Sequence, residues 1–464
     1  MADLLIANVT LPSGVRTDLG VRAGVFVDPS TLTRPEVIDA TDLIALPGLV
    51  DLHTHLRESG EDPADPVVGD GRGQLAETIA TGTAAAARGG FTAVFAMANT
   101  TPVTDTAERV RSLLRRTQGK GAEVVPVGAI TRGLAGVELS EIDAMHSLGV
   151  TYFSDDGHCV MDAGLMRQAL QRMGRFGGVA AQHAQDHSLA GDRACLPDES
   201  WVDKLGQGDG SSVPDFLNLG QKNRHPVPDS TCWPGVAESV IVARDTQLAR
   251  DTGAHVHICH VSSAESVEVL RWAKARGIPI TAEVTPHHLL LGSDLLSSCD
   301  TRFKVNPPLR GLEDREAVRR GLADGTIDVV ATDHAPHLLV DKDKPFPDAK
   351  PGMVGLEYAL GVVVETMVNP GLLDWRGVAE KMSHAPARIG QIATRQGRPL
   401  GIGEPATVVL IDPVRRTIVN KDDSLSLGRN NPYDGMDLPD PVLLTLWAGR
   451  VTYRDSVRFP RPVR

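Results

Sequence analysis

The tripeptide His53-Thr54-His55 is the first place in this 464-residue chain where side-chain type and spacing suggest chemistry. It closes the apolar run 46–53, which reads as a strand. Strand residues i and i+2 share a face, so both imidazoles can reach one metal ion, and Arg57 continues that face. Imidazole nitrogens suit zinc. Taken alone, the pair is a weak signal and reads more readily as two surface histidines flanking a turn. Other apolar runs end in matching groups: His183, His260, and Asp333 with His334 and His337 after it; Asp155-Asp156-Gly157 follows a further run. Singly, each is more often a cap, a turn or a satisfied core histidine. Together they deliver the clustered His and carboxylate donors that a metal centre needs. The remaining run-end residues suit substrate binding. Arg57 can pair with a carboxylate through two parallel hydrogen bonds. Asn99, Asn306 and His337 can add to that grip, although turn formation is the plainer use of two asparagines.

For these groups to meet, the elements carrying them must share one rim. Eight short apolar runs fall at 46–53, 92–98, 122–128, 150–154, 178–183, 255–260, 278–284 and 327–333. Helical stretches lie between them, several closed by glycine. The stretch that starts at Asp105 is expected to use that aspartate as its cap. Repeated strand–helix alternation implies parallel βα units. Eight units imply an α/β fold of the (β/α)8 TIM-like type, with its site at the C-terminal strand ends. A doubly wound open sheet is the runner-up, but no GxGxxG follows the first run. Residues 1–45 and 395–464 both read as β segments, so the two termini are expected to form one small β-sandwich domain beside a barrel spanning 46–394. Segments 60–73 and 186–232 break the rhythm as long polar loops. Segment 338–355, with Lys342, Lys344 and Gly352, reads as a mobile piece beside the site.

Composition excludes several classes. The net charge of −12 disfavours binding to a phosphate backbone. Aromatic residues, at 4%, supply no stacking platform for single strands. The five cysteines are scattered and form no CxxC, which argues against a disulfide framework and a thiolate zinc knuckle. No apolar run approaches about 18 residues, so no membrane span is expected. The first residues lack the basic and apolar regions of a signal peptide, and a cytoplasmic protein is expected.

The same motifs carry a resemblance. The run Gly48-Leu49-Val50-Asp51-Leu52-His53-Thr54-His55-Leu56-Arg57-Glu58 resembles the opening motif of the amidohydrolase superfamily in its dihydroorotase form. Ala96-Met97-Ala98-Asn99-Thr100-Thr101-Pro102, Asp155-Asp156-Gly157, Thr285-Pro286-His287-His288, Val305-Asn306-Pro307-Pro308-Leu309-Arg310 and Ala331-Thr332-Asp333-His334-Ala335-Pro336-His337 continue it in order. The resemblance runs from about residue 40 to the C-terminus, and is to the long bacterial, aspartate-bridged type.

That family implies a barrel with a side β domain, and zinc as one or two ions. It implies that His53, His55 and Asp333 hold the more buried ion and that His183 and His260 hold the second. Many relatives bridge the ions with a carbamylated lysine. Here the first lysine is Lys120 and the next Lys204, neither at the end of the fourth run, where Asp156 stands. The resemblance therefore implies a bridge through Asp156, with Asp155 the second choice or a helix cap. It implies reversible ring opening of dihydroorotate to N-carbamoyl-aspartate in pyrimidine synthesis, with Asp333 carrying the proton. Arg57, Asn99 and His337 would hold the substrate carboxylate and Asn306 the ring edge. A homodimer and association with aspartate transcarbamoylase are also implied. Departures are Ser59 where the family usually has proline, and Gln185 where an acidic residue is common. Two rival readings remain. Dihydropyrimidinase (hydantoinase) or allantoinase would generally need the missing lysine and act on substrates without the carboxylate. A non-catalytic scaffold would usually have lost ligands that are retained here.

Overall fold

The computed structural model describes residues 3–58, 75–117, 119–191 and 233–459. The segment 60–73, Ser59 and residues 192–232 of the second long loop lie outside the described residues. Near the N-terminus, β1 (Leu4–Thr10), β2 (Arg16–Arg22), β3 (Val25–Val27), β4 (Glu36–Asp39) and β5 (Ile44–Pro47) are short and separated by Gly/Pro turns. Eight strands of the barrel follow: β6 (Leu49–Thr54), β7 (Phe91–Ala96), β8 (Glu123–Pro126), β9 (Tyr152–Ser154), β10 (Val179–Gln182), β11 (His255–Ile258), β12 (Ile280–Val284) and β13 (Val329–Val330). Six lie within the expected apolar runs, and β6 and β7 each extend one residue beyond theirs, to Thr54 and from Phe91. The last strands are β14 (Val408–Ile411), β15 (Arg416–Ile418), β16 (Asp437–Pro439), β17 (Val442–Trp447) and β18 (Arg450–Arg454).

Strands β6 to β8 pair in parallel, as do β9 to β13. Two parallel bridges close the ring, Gly128 with Phe153 and Thr54 with His334. Alternation along the strands divides their side chains between two cores. Ala93, Phe95, Val125, Val127, Val179 and Ala181 fill the barrel interior. Val94, Val124 and Ala180 face outward and join the helices, including Ala85 and Leu113. Each Val or Leu fully buried in this way contributes about 1.5–3 kcal/mol.

The two chain ends share one sheet, in the order β18-β17-β14-β5-β1-β2-β3, with β4 also paired to β1. β15 and β16 form a separate antiparallel ribbon. β5 belongs to this terminal sheet, and one residue later β6 enters the barrel. Gly48 makes that passage possible: a Cβ there would lie 2.3 Å from Thr92 Oγ1 and 2.6 Å from Thr407 Cγ2.

The helices fix how each strand end is presented. Thr78 and Thr81 form a capping box at the helix Ile79–Arg88, and Ser263 caps Ala264–Lys274. The helix Ala107–Arg116 is capped by Thr106 and not by Asp105. Thr106 has the extended backbone a cap requires, while the Asp105 carboxylate accepts from Gly133 N at 2.8 Å and pairs with Arg109.

Candidate metal centre and substrate cavity

β6 carries His53 at its end, and the chain beyond it places His55 and then Arg57, the last in a left-handed conformation (φ 58°). His260 and Asp333 follow β11 and β13 with φ of 34° and 45°. Such backbone is costly for residues with a Cβ and gathers at functional sites. Here it turns the side chains inward over the barrel mouth. His53, His55, Asp156, His183, His260 and Asp333 are all buried within one cluster.

The tautomers of the first two histidines follow from their outer hydrogen bonds. His53 Nδ1 faces the Glu283 carboxylate at 2.7 Å, so it carries the proton. Asn99 Nδ2 donates to Asp156 Oδ2 (3.1 Å), which leaves Asn99 Oδ1 to accept from His55 Nδ1–H at 2.8 Å. In the neutral rings both Nε2 atoms are then lone pairs, open to a proton or a metal ion. They nevertheless face carboxylate oxygens. His53 Nε2 lies 3.2 Å from Asp156 Oδ1 and 3.4 Å from Asp333 Oδ1, and makes no hydrogen bond. His55 Nε2 lies 3.3 Å from Asp156 Oδ2 and 3.0 Å from Asp333 Oδ1. Lone pairs and carboxylates aimed at one point repel each other unless a cation sits between them. The donor set therefore fits a metal ion, with the outer hydrogen bonds orienting its ligands.

A second group adjoins the first. His183 Nδ1 and His260 Nε2 approach each other at 2.9 Å, each 3.6 Å from Asp156 Oδ1. Asp156 thus stands between the two histidine pairs. On its far side His183 Nε2 meets Asn306 Nδ2 at 3.3 Å, and Asn306 pairs reciprocally with Gln185. Reversing both amides keeps that pair and turns Asn306 Oδ1 toward His183 Nε2–H, which frees Nδ1 as a ligand.

The carboxylates demand positive charge at this point, whether from a proton or from a metal ion. Burial opposes charge on His53, yet Asp156, Asp333 and Glu283 pull its pKa well above the ordinary histidine value. Burial would raise the Asp333 carboxyl, but His53 and His55 hold it below its usual range. Glu283 is likewise penalised by burial and held down to about 2 by His53 and His257.

Above the cluster opens a cavity of about 250 Å³ whose lining includes Arg57, Asn99, Asn306, His337 and Gly352. Arg57 Nε donates to Pro336 O (3.2 Å) and His337 Nε2–H to Pro351 O (2.8 Å). Burial, with Arg57 and Lys342 nearby, lowers the His337 pKa well below its ordinary value, so its ring is neutral.

The profile of the family described as Dihydro-orotase-like matches residues 42–206. A protein of Streptomyces coelicolor named dihydroorotase is 50% identical over 91% of this chain and 90% of its own length. One of Mycobacterium tuberculosis with the same name is 47% identical over 95% of both chains. The chain belongs to the dihydroorotase family. Among solved structures, the L-hydantoinase (dihydropyrimidinase) of Arthrobacter aurescens superposes with a TM-score of 0.80 at 24% identity, covering 98% of this chain and 96% of that one. That likeness establishes the shared barrel fold.

Within this dihydroorotase-family site, the six residues expected as ligands come together at one cluster. Arg57, Asn99, Asn306 and His337 come together at the cavity wall. Asn99 and Asn306 also touch the ligand histidines directly, as described above. Asp155 neither joins the cluster nor caps a helix: it accepts from Ile130 N (2.7 Å), Thr131 N (2.9 Å) and the Thr131 hydroxyl. His257 supports Glu283, at 3.1 Å. His288 bonds Thr285 Oγ1 and the carbonyls of Pro307 and Pro308.

Glu283 and Asp51 are not among the site residues expected from the sequence. Glu283 sits in the apolar strand β12, and Asp51 inside β6, where it accepts from Thr332 N (2.8 Å) and from the Thr54 and Thr332 hydroxyls. A carboxylate inside an apolar strand run was the signal available, since buried charge requires partners.

Proposed function

We propose that the chain is a dihydroorotase, which reversibly hydrolyses the cyclic amide of dihydroorotate to N-carbamoyl-aspartate in pyrimidine synthesis. Curated relatives of that name, at up to 50% identity over most of the chain, support the assignment. One structural observation carries the chemistry: a cation-demanding cluster opens onto a cavity that holds Arg57, a natural partner for the substrate carboxylate. Zinc is the proposed metal. His53, His55 and Asp333 would hold one ion, His183 and His260 a second, and Asp156 would lie between them. Bound there, zinc lowers the pKa of water and polarises the amide carbonyl.

The chain's own groups supply the rest. Arg57, Asn99 and His337 hold the ring carboxylate, His337 by redirecting the Nε2–H that it donates to Pro351 O, and Asn306 holds the ring edge, which fixes the carbonyl over the cluster. Asp333, kept ionised by the adjacent histidines, takes the proton of the attacking water. A C–O bond forms at the carbonyl, the ring C–N bond breaks, and Asp333 returns the proton to the departing nitrogen. Ring closure reverses each step. The reading includes a catalytic barrel and a terminal domain divided near the expected 46–394 and 1–45 with 395–464, Leu46 and Pro47 staying with the terminal sheet because they pair with β14; it also includes a cytoplasmic homodimer and pairing with aspartate transcarbamoylase. Among the described residues no helix is long and apolar enough to cross a membrane. Purified protein assayed with dihydroorotate and with hydantoin, its metal content measured, tests the reading. Turnover of dihydroorotate with zinc present is expected; turnover of hydantoin alone would overturn it.

A further inference from the structure

Behind the cavity wall runs a strap from the C-terminal part of the chain, residues 424–431. Buried carboxylates hold it at several points. Glu357 accepts from the Ser424 hydroxyl, Leu425 N (3.0 Å) and Ser426 N (3.2 Å). Glu77 accepts from the Ser426 hydroxyl and Leu427 N (3.3 Å), and faces His334 Nε2 at 3.2 Å. The strap leads to Asn430, which is 3% exposed.

The Asn430 carboxamide makes three hydrogen bonds, all to residues of the cavity wall. Its Oδ1 accepts from His337 N at 3.0 Å. Its Nδ2 donates to Ala335 O at 2.9 Å and to Gly352 O at 3.0 Å. One side chain therefore ties the segment following Asp333 to the loop that faces it. The joint has little slack. A Cβ on Gly352 would lie 2.6 Å from His337 Nε2 and 3.0 Å from Ala335 Cβ, so the two walls already touch.

We infer that Asn430 is a positioning residue for substrate binding, acting through His337 and Gly352; this rests on the reading of His337 as a carboxylate grip. The chemistry of the position is specific. It requires one acceptor for an N–H and two donors for two carbonyls, which a primary amide supplies. Aspartate keeps the shape and the acceptor but sets a carboxylate oxygen against two carbonyl oxygens. A loosened His337 weakens a carboxylate contact that is the same in the ground and transition states, while Arg57 and Asn99 keep the carbonyl aligned, so the loss falls on KM and not on kcat.

The experiment compares dihydroorotate hydrolysis by the zinc-loaded wild type, Asn430→Ala, Asn430→Asp and Ser424→Ala, with circular dichroism and melting curves to establish folding. Ser424→Ala loosens the strap at its Glu357 end, away from the cavity. Both Asn430 variants should raise KM about ten-fold or more while kcat stays within about three-fold. Ser424→Ala should keep the wild-type KM. An unchanged KM in a folded Asn430 variant overturns the inference, and so does an equal rise in Ser424→Ala. Unfolding of both Asn430 variants overturns it too, by making Asn430 a residue of the fold. An inactive wild type instead overturns the assignment of function.

Discussion

Asp333 lies 3.0 Å from His55 Nε2 and 3.4 Å from His53 Nε2, at the point where the cluster meets the cavity. Asp333→Ala is expected to lower kcat by about 10³-fold or more, within the range for a positioned proton carrier. Its circular dichroism spectrum should stay that of the wild type; retained activity would remove Asp333 from the role. Glu283 acts one shell further out. It accepts from His53 Nδ1, His257 Nε2 and the His260 backbone N–H, so it orients the His53 and His257 rings and holds the main chain at His260. Glu283→Gln keeps the volume and loses the charge. Metal affinity should fall about 10–100-fold, measured by chelator competition. The type and spacing of His53 and His55 were visible in the sequence because period-two spacing is a local property. The partner that fixes each tautomer was not visible, because Glu283 and Asn99 lie 230 and 44 residues away.

At the scale of elements, segment 338–355 shows what local reading can miss. Lysines and a glycine suggested a mobile piece. In the structure Lys342 Nζ donates to the carbonyls of Lys350 (2.9 Å), Gly352 (3.2 Å) and Lys304 (3.3 Å), which pins the segment to the barrel. Burial, with Lys304 nearby, lowers the Lys342 pKa to about 7. Its folded pKa is below its unfolded value, so between about pH 7 and the ordinary lysine range near 10.4 the unfolded chain binds more protons. In that window this group makes stability rise with pH. Lys342→Met should flatten that rise in denaturant titrations from pH 7 to 10; an unchanged slope would show that Lys342 titrates normally. The eight apolar runs were legible as strands because a parallel barrel buries both strand faces. The cap at 105–106 was misread by one residue, because Gly133, distant in sequence, competes for Asp105.

Over the whole molecule, the barrel mouth collects groups from β6 to the C-terminal strap, and a bound ion would tie several of them together. Chelation should abolish activity and lower the melting temperature, and added zinc should restore both. At a free metal concentration about 1,000-fold above Kd, the linkage contributes about 4 kcal/mol. A melting temperature indifferent to chelator would argue against a tightly held ion. The sequence by itself determined the alternation of strands and helices, the eight-fold count, and which ligand-type residues stand at strand ends. These rest on short-range periodicity and on backbone preferences within a few residues. Tertiary structure decided what those residues meet. The closure between Thr54 and His334, the position of Asp156 between two histidine pairs, and the reach of Asn430 into the cavity wall all join parts of the chain far apart in sequence. Only packing brings such groups within hydrogen-bond distance, and no local pattern encodes that distance.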